Sequence, residues 1–235
     1  MHTSFLTSDI LEETHTAAEY LEWVRGLVAK VKAEPDGLER IRLRKGLVKE
    51  LMNEALPIGL ICSKYFDDSR HVGISLKIGN QNFDAEVSDT RSDCSSVQFI
   101  EVTLATEGED DYLRMRVLHE AGSVSGLGGV SKTSTKKKGL KIEVASEMVS
   151  QEEVLRRERE RVSQAIERKI NGSYPSNTLL LIGFDDTMSF DRNDNISNLQ
   201  SVLYDYAPKL NTFQSVAIVR LQQGLFIRGL SKNAI

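Results

Sequence analysis

The fold of this chain is decided by two stretches of its sequence, Phe83-Asp-Ala-Glu-Val87 and Phe99-Ile-Glu-Val-Thr-Leu104. Side chains alternate along a strand, so Asp84 lies on one face of the first stretch, and Glu101 shares a face with Thr103 in the second. A carboxylate in the middle of so apolar a strand is costly unless something pairs with it. If the two strands are neighbours, Asp84 and Glu101 converge at one edge of the sheet. Two converging carboxylates make an oxygen-rich site that suits Mg²⁺ or Mn²⁺ rather than zinc.

Further strand patterns flank these two stretches. Apolar residues alternate over 71–78, and Gly79-Asn80 is a turn signal that leads into residues 81–87. With residues 97–104, these runs predict an antiparallel meander of about three strands. The continuous apolar run 178–184 predicts a buried strand. Shorter strands are predicted at 140–144, 215–220 and 224–228.

Helical periodicity and capping signals predict helices around these strands. The first, over 9–32, has Asp9 as its N-cap with Glu12 three positions on, which is a capping-box pattern. The others are predicted at 38–56, ended by Pro57, at 107–120, closed by Gly122, at 150–170, opened by Ser150, and at 196–206. Residues 122–139 are rich in Gly, Ser, Thr and Lys, and they predict an extended loop. The Gly126-Leu-Gly-Gly129 segment in this loop lacks the context of a phosphate-binding loop, so a hairpin or lid is the preferred interpretation.

The predicted elements form a single α/β domain over residues 1–235, with a mixed central sheet flanked by helices. Its parts are an N-terminal helix over 1–36, a core over 38–184, and a C-terminal helix and strands over 185–235. The sequence leaves open whether the first helix belongs to the core or forms a homodimer interface.

The composition is that of an ordinary globular protein. Of 235 residues, 40% are hydrophobic and 27% charged, with a net charge of −4, which excludes wholesale disorder and a general cationic coat. Two cysteines, Cys62 and Cys94, are too few for a disulfide framework and indicate free thiols in a reducing compartment. No apolar run approaches the roughly 20 residues that cross a bilayer, and the first thirty residues lack a secretory pattern. We therefore expect a cytoplasmic protein without a membrane partner.

The order of elements and the two carboxylates resemble the PD-(D/E)xK nuclease superfamily, which has the restriction-endonuclease-like fold. That family has a core of a helix, three strands, a helix and a further strand, with an Asp at the start of the second strand and Glu-x-Lys in the third. The resemblance spans roughly residues 38–184 and matches Asp84 and Glu101. It implies a metal-dependent nuclease that hydrolyses phosphodiester bonds in DNA, with Asp84 and Glu101 holding Mg²⁺ or Mn²⁺. Many members place a further Glu on the helix before the sheet, where this chain has Glu50 and Glu54 one turn apart, and we assign Glu50.

The chain departs from the family pattern at Thr103, where the family has its lysine. That lysine helps to position or activate the attacking water and to stabilise the charged transition state. Some members supply the positive charge from another element, and Arg114 or Arg116 on the following helix are candidates. The alternative is a catalytically degenerate member that binds nucleic acid or a protein partner without cleavage. A third hypothesis is an unrelated α/β interaction protein whose carboxylates are surface residues.

Several basic residues are candidates for nucleic-acid binding. Five lysines lie in a ten-residue stretch without an acid, namely Lys132, Lys136, Lys137, Lys138 and Lys141. Beside a carboxylate site they would follow a phosphate backbone and give salt-sensitive, sequence-independent affinity; otherwise they belong to a solvated loop. The arginine-rich helix 150–170 is more typical of a salt-bridged surface helix. His119 follows the third strand closely enough to approach the site, although a packed or surface histidine is the preferred interpretation.

Overall fold

Within the residues that the computed structural model describes (5–66, 69–91, 97–124, 128–135, 139–185, 192–222 and 226–231), the central element is a mixed seven-stranded sheet. The strands in chain order are β1 (His15–Thr16), β2 (Val72–Leu76), β3 (Ala85–Asp89), β4 (Phe99–Ala105), β5 (Val130–Thr135), β6 (Gly139–Val144), β7 (Thr178–Phe184), β8 (Ser215–Arg220) and β9 (Phe226–Ser231). The large sheet has the order β1-β2-β3-β4-β7-β8-β9, and β5 pairs with β6 in a separate ribbon.

The pairing of the strands agrees with the predicted meander. β1, β2, β3 and β4 pair antiparallel in turn, whereas β7 is parallel to both β4 and β8. β9 closes the far edge antiparallel to β8, so the C-terminal strands extend the same sheet. A parallel step such as β4 to β7 needs a crossover connection, which the intervening helices provide.

Helices cover both faces of the sheet. They are α1 (Ser8–Leu11), α2 (Tyr20–Ala33), α3 (Gly37–Leu43), α4 (Val48–Glu50), α5 (Leu56–Tyr65), α6 (Glu109–Ala121), α7 (Gln151–Ile170) and α8 (Arg192–Tyr206), with a π-helical turn Leu51–Ala55 between α4 and α5. One core packs α2 and α5 against one face, and a second core packs α7 and α8 against the other. β7 serves both, because Leu179 and Leu181 point into the first core while Leu180 and Ile182 point into the second. The predicted mixed α/β architecture is confirmed.

The first helix belongs to the core. Tyr20, Val24 and Val31 of α2 have no exposed surface and lie in the first core, which decides against the homodimer interface as the role of these side chains. None of the described helices combines the length and the apolar character that a membrane span needs.

The predicted helix over 9–32 is wrong in its first half. Thr7, not Asp9, caps the short helix α1, and its Oγ1 accepts a hydrogen bond from the backbone N of Ile10 at 3.3 Å. Glu12 makes no capping box, since its carboxylate accepts from the backbone N of Ile78 at 2.7 Å. The chain then extends as β1 to pair with β2 before α2 begins. Pairing with β2 at the edge of the sheet is therefore favoured over a helix at His15 and Thr16, despite the local helical pattern.

The predicted helix over 38–56 is also wrong in its extent. It breaks after α3, where Arg44 and Gly46 adopt positive φ angles of 51° and 55°. It then continues past Pro57 to Tyr65, because Pro57 occupies the first turn of α5, where a missing N–H costs little. The π-helical turn just before the proline makes this continuation possible, and such turns are frequent at functional sites.

The predicted loop over 122–139 is wrong in part, because β5 lies within it and pairs with β6 along six positions. Of the Gly126-Leu-Gly-Gly129 segment, only the last two glycines lie among the described residues. The helix signals around this region are confirmed: Gly122 ends α6 with a φ of 76°, and Ser150 caps α7 by accepting from the backbone N of Glu153.

Candidate active site

The candidate site lies where β3 and β4 separate. The two strands pair at Ala85 with Ile100 and at Glu86 with Phe99, whereas β4 continues beside β7 to Ala105. Just outside this pairing, Asp84 Oδ2 accepts a hydrogen bond from the backbone N of Val102 at 2.7 Å. The carboxylate thus takes the place of the missing strand partner, which fixes it at the opening between the strands.

Glu101 lies on the same edge and is held by a lysine from a distant helix. Glu101 is 6% exposed, and its Oε1 forms an ion pair with Nζ of Lys169, which lies in the last turn of α7. Thr103 lies on the same face of β4 and is also 6% exposed. Because a lone carboxylate is costly to bury, the lysine is what allows Glu101 to remain in this strand.

The two candidate arginines lie elsewhere. Arg114 pairs with Glu107 and Asp111 and donates to the backbone O of Gly128 at 3.0 Å, while Arg116 pairs with Glu120 at 2.7 Å. These acids are on α6 or just before it, so both guanidinium groups stabilise that helix and its surroundings. The expectation that one of them replaces the family lysine is not supported, and Lys169 is the cation that contacts a site carboxylate.

A weak signal for Lys169 was present in the sequence. It ends the helix that immediately precedes the buried strand β7, and β7 is parallel to β4. A crossover helix delivers its last turn to the end of the sheet where the next strand begins, and the Glu101 end of β4 lies there. This deduction requires the strand order, which the sequence pattern did not provide.

A third carboxylate, Glu54 of the π-helical turn, is coupled to the site electrostatically. Burial is the largest of the causes that raise the pKa of Glu54 to about 8, and the negative charges of Asp84, Glu50 and Glu101 contribute to the same shift. Lys49 acts in the opposite direction. Glu50 Oε2 is buried and has no hydrogen-bond partner among the described residues. The charges of Asp84 and Glu101 thus both act on the pKa of Glu54. The assignment of Glu50 as the catalytic helix glutamate stays a prediction.

The site holds more negative charge than it neutralises. Burial, followed by the charge of Glu101, raises the pKa of Asp84 to about 6, although the Val102 amide, Lys169 and Lys49 lower it. A carboxylate with a raised pKa favours its protonated form, and a bound cation reverses that preference. The electrostatics of the site therefore fit a cation next to Asp84 and Glu101.

The donor set matches a hard cation held by few protein ligands. In the described part of the chain, no group of three or more His, Cys, Asp or Glu side chains is arranged to hold a metal ion. Mg²⁺ does not require one, because it is usually bound through one or two carboxylates together with waters and substrate phosphates. Asp84 and Glu101 provide those two carboxylates, and both offer only oxygen atoms to a metal ion.

We expect the metal-free protein to lose stability as the pH rises. The folded pKa values of Glu54 (about 8, ordinarily 4.5) and Asp84 (about 6, ordinarily 3.8) are raised, so the folded state binds more protons than the unfolded state. The contribution of these two groups to the free energy of unfolding is greatest below about pH 4 and is lost progressively up to about pH 8. Melting temperatures in EDTA between pH 5 and 8.5 should fall, and Glu54→Gln should flatten the dependence. A melting temperature that rises over this range would contradict the pKa shifts.

The other predicted residues lie away from the carboxylates or outside the described residues. Lys132 pairs with Glu109 and Lys141 with Glu143, so these two lysines are neutralised by acids that the sequence stretch itself did not contain. Lys136, Lys137 and Lys138, like Cys94, lie outside the described residues, while Cys62 is a buried free thiol. His119 lies on α6 beside Leu118, whose backbone O accepts a hydrogen bond from Arg42 of α3 at 3.4 Å.

Comparisons with known proteins provide no family for this chain. No protein-family model, no curated protein and no solved structure matches it.

Proposed function

We propose that this protein is a divalent-metal-dependent nuclease that hydrolyses phosphodiester bonds in DNA, in the reducing environment of the cytoplasm. The observation that carries the proposal is the ion pair between Lys169 and Glu101 next to the half-buried carboxylate of Asp84. Two carboxylates and one lysine at the parting of two strands are the residue types of the PD-(D/E)xK site. Lys169 supplies from α7 the charge that Thr103 does not supply from β4.

The arrangement of elements supports a restriction-endonuclease-like core. A helical segment (α4, the π-helical turn and α5) precedes three antiparallel strands, and α7 then leads to a fourth strand parallel to the third. With α6 and the β5–β6 ribbon taken as an insertion between the third strand and α7, this is the order of elements in that fold. Asp84 lies immediately before the second strand, and Glu101 lies on the third. β1, β8 and β9 then extend the sheet at its two edges.

Each residue has a definable task in the proposed reaction. Asp84 and Glu101 would hold the cation, whose chemistry is to lower the pKa of a bound water and to offset charge on the scissile phosphate. Lys169 would orient Glu101 through their ion pair and would donate hydrogen bonds to the phosphate or to the attacking water. Glu54, with its raised pKa, can hold a proton close to the two strand carboxylates.

We expect the wild-type protein to cut DNA only in the presence of Mg²⁺ or Mn²⁺. Plasmid and single-stranded DNA would be incubated with either metal or with EDTA, and cleavage would be followed on gels. Glu101→Ala should abolish cutting, because it removes one of two metal ligands and leaves Lys169 without its partner. Cutting that survives in EDTA, or in Glu101→Ala, would contradict the site assignment.

One observation favours the second candidate function, a nuclease-fold protein that binds without cutting. Thr103 is buried on the same face as Glu101 and cannot supply a charge in place of the family lysine. If Lys169 does not compensate, the protein retains DNA binding that weakens with salt and shows no cleavage with either metal. The same incubation, accompanied by binding measurements at two salt concentrations, distinguishes the two functions.

A further inference from the structure

A cavity of about 550 Å³ lies on the open part of the sheet beside the candidate site. It is formed by β2, β3 and β4 and by residues that flank them. The side chains on which the argument depends are Ser75, Lys77, Glu86, Ser88, Gln98 and Phe99. The volume is within the range of about 300–1,000 Å³ that is typical of small-ligand sites.

The cavity lies on the same face of the sheet as Glu101. Phe99 and Glu101 are two residues apart on β4 and therefore lie on the same face, about 7 Å apart along the strand. The register places Glu86 opposite Phe99, and Ser75 opposite Glu86, on that face. A nucleic-acid strand whose phosphate is bound at Asp84 and Glu101 could consequently place a neighbouring group in the cavity.

The charged side chains around the cavity occur in pairs of opposite sign. Lys77 Nζ lies 2.9 Å from a carboxylate oxygen of Glu86, and Arg91 Nε donates to Asp89 at 2.9 Å. The cavity therefore carries little net charge and does not suit a second phosphate. Its other side chains are hydroxyls, an amide, two valines and one aromatic ring, which together suit a neutral, planar ligand with hydrogen-bonding edges.

The aromatic ring is held in place from behind. The rings of Phe99 and Phe83 are 4.6 Å apart between centroids and tilted by 45°, and both residues are partly exposed. A ring supported in this way presents its remaining face without a large loss of side-chain freedom. Base–aromatic stacking of this kind is a common means of binding single-stranded nucleic acids.

We propose that the cavity binds an unpaired nucleobase of the DNA strand whose phosphate lies at Asp84 and Glu101, with Phe99 as the stacking platform. The inference rests on the proposed function and names its substrate class: single-stranded DNA, or a duplex that is locally unpaired. A base-paired nucleotide could not place its base in the cavity without leaving the helix stack.

The test measures DNA affinity in EDTA by fluorescence anisotropy, with a labelled single-stranded oligonucleotide and the matching duplex. We expect tighter binding of the single strand and a roughly 5- to 150-fold loss of that affinity in Phe99→Leu, which fills the space but has no flat face. Phe99→Trp should retain the affinity, and it keeps the proposal testable if the leucine variant does not fold. Tyr204→Leu is the control, because Tyr204 is 78% exposed and is not among the residues that line the cavity.

Equal affinities for single strand and duplex, or unchanged binding in a folded Phe99→Leu protein, would overturn the inference. Failure of the base site can be distinguished from failure of the proposed nuclease function. Metal-dependent cutting that is insensitive to Phe99 removes the base site and leaves the nuclease. Binding of single strands that depends on Phe99, without any cutting, removes the nuclease and leaves the base site.

Discussion

Replacement of Lys169 by methionine is expected to lower the rate of DNA cleavage by about 100- to 1,000-fold, the usual cost of removing one group that stabilises a charged transition state. Lys169 is the side chain that pairs with Glu101, and Thr103, two residues after Glu101, offers no charge. The measurement is the single-turnover rate with Mg²⁺. A folded Lys169→Met protein that cuts at the wild-type rate would show that the lysine serves structure alone.

The same substitution has a second, metal-dependent signature. Without Lys169, Glu101 is a buried carboxylate without a cation, which should cost on the order of 3 kcal/mol in the metal-free protein. Mg²⁺ or Mn²⁺ should return much of that stability, because the cation takes over the compensation. Lys45→Met is the control, because Lys45 pairs with Glu39 on the surface, where ion pairs contribute little to stability. A purely structural lysine would show no such rescue by metal.

Asp84→Asn is expected to remove cleavage and yet to raise the melting temperature of the metal-free protein. The raised pKa of Asp84, about 6, means that its ionised form is unfavourable in the folded state at pH 7. Asparagine carries no charge, and its carbonyl can still accept the hydrogen bond from Val102. We expect a gain of a few degrees in EDTA by calorimetry. The upward shift in melting temperature that we expect Mg²⁺ to give the wild type should be lost in this variant.

Asp36→Asn provides the comparison for this result. Asp36 is exposed in the turn before α3 and makes no capping hydrogen bond with its side chain, so its substitution should change neither stability nor cleavage. A metal-free Asp84→Asn protein that is less stable than the wild type would mean that the carboxylate is a structural acceptor. In that event the raised pKa could not be used as an argument for a cation site.

The opposing effects of Asp84→Asn follow from a general property of binding sites. Groups that would hold a ligand repel one another when the ligand is absent, and the fold bears that cost. In this protein the cost lies in Glu54 and Asp84, whose raised pKa values arise from burial and from their neighbours. The predicted loss of stability with rising pH is another consequence of the same arrangement.

Local patterns predicted the parts of the fold that depend on near neighbours. The alternation around Asp84 and Glu101 gave the three antiparallel strands, and the apolar run at 178–184 gave the buried strand β7, all seven residues of which are buried. Capping by Ser150 and the glycine stop at Gly122 were also local, and both are confirmed. Where the local signal competed with a distant partner, as at Glu12 and His15, the sequence interpretation was wrong.

The sequence by itself determined that two acidic residues lie within or directly before neighbouring strands, because strand periodicity and a short connection fix both the face and the partner. Only the tertiary structure decided which cation meets them, since Lys169 is 68 residues from Glu101 and reaches it through the crossover helix α7. It also decided that Glu54 acts electrostatically with the strand carboxylates, because burial and the charges of distant residues set its pKa. Long-range proximity and desolvation belong to the folded chain, and no local pattern of residues encodes them.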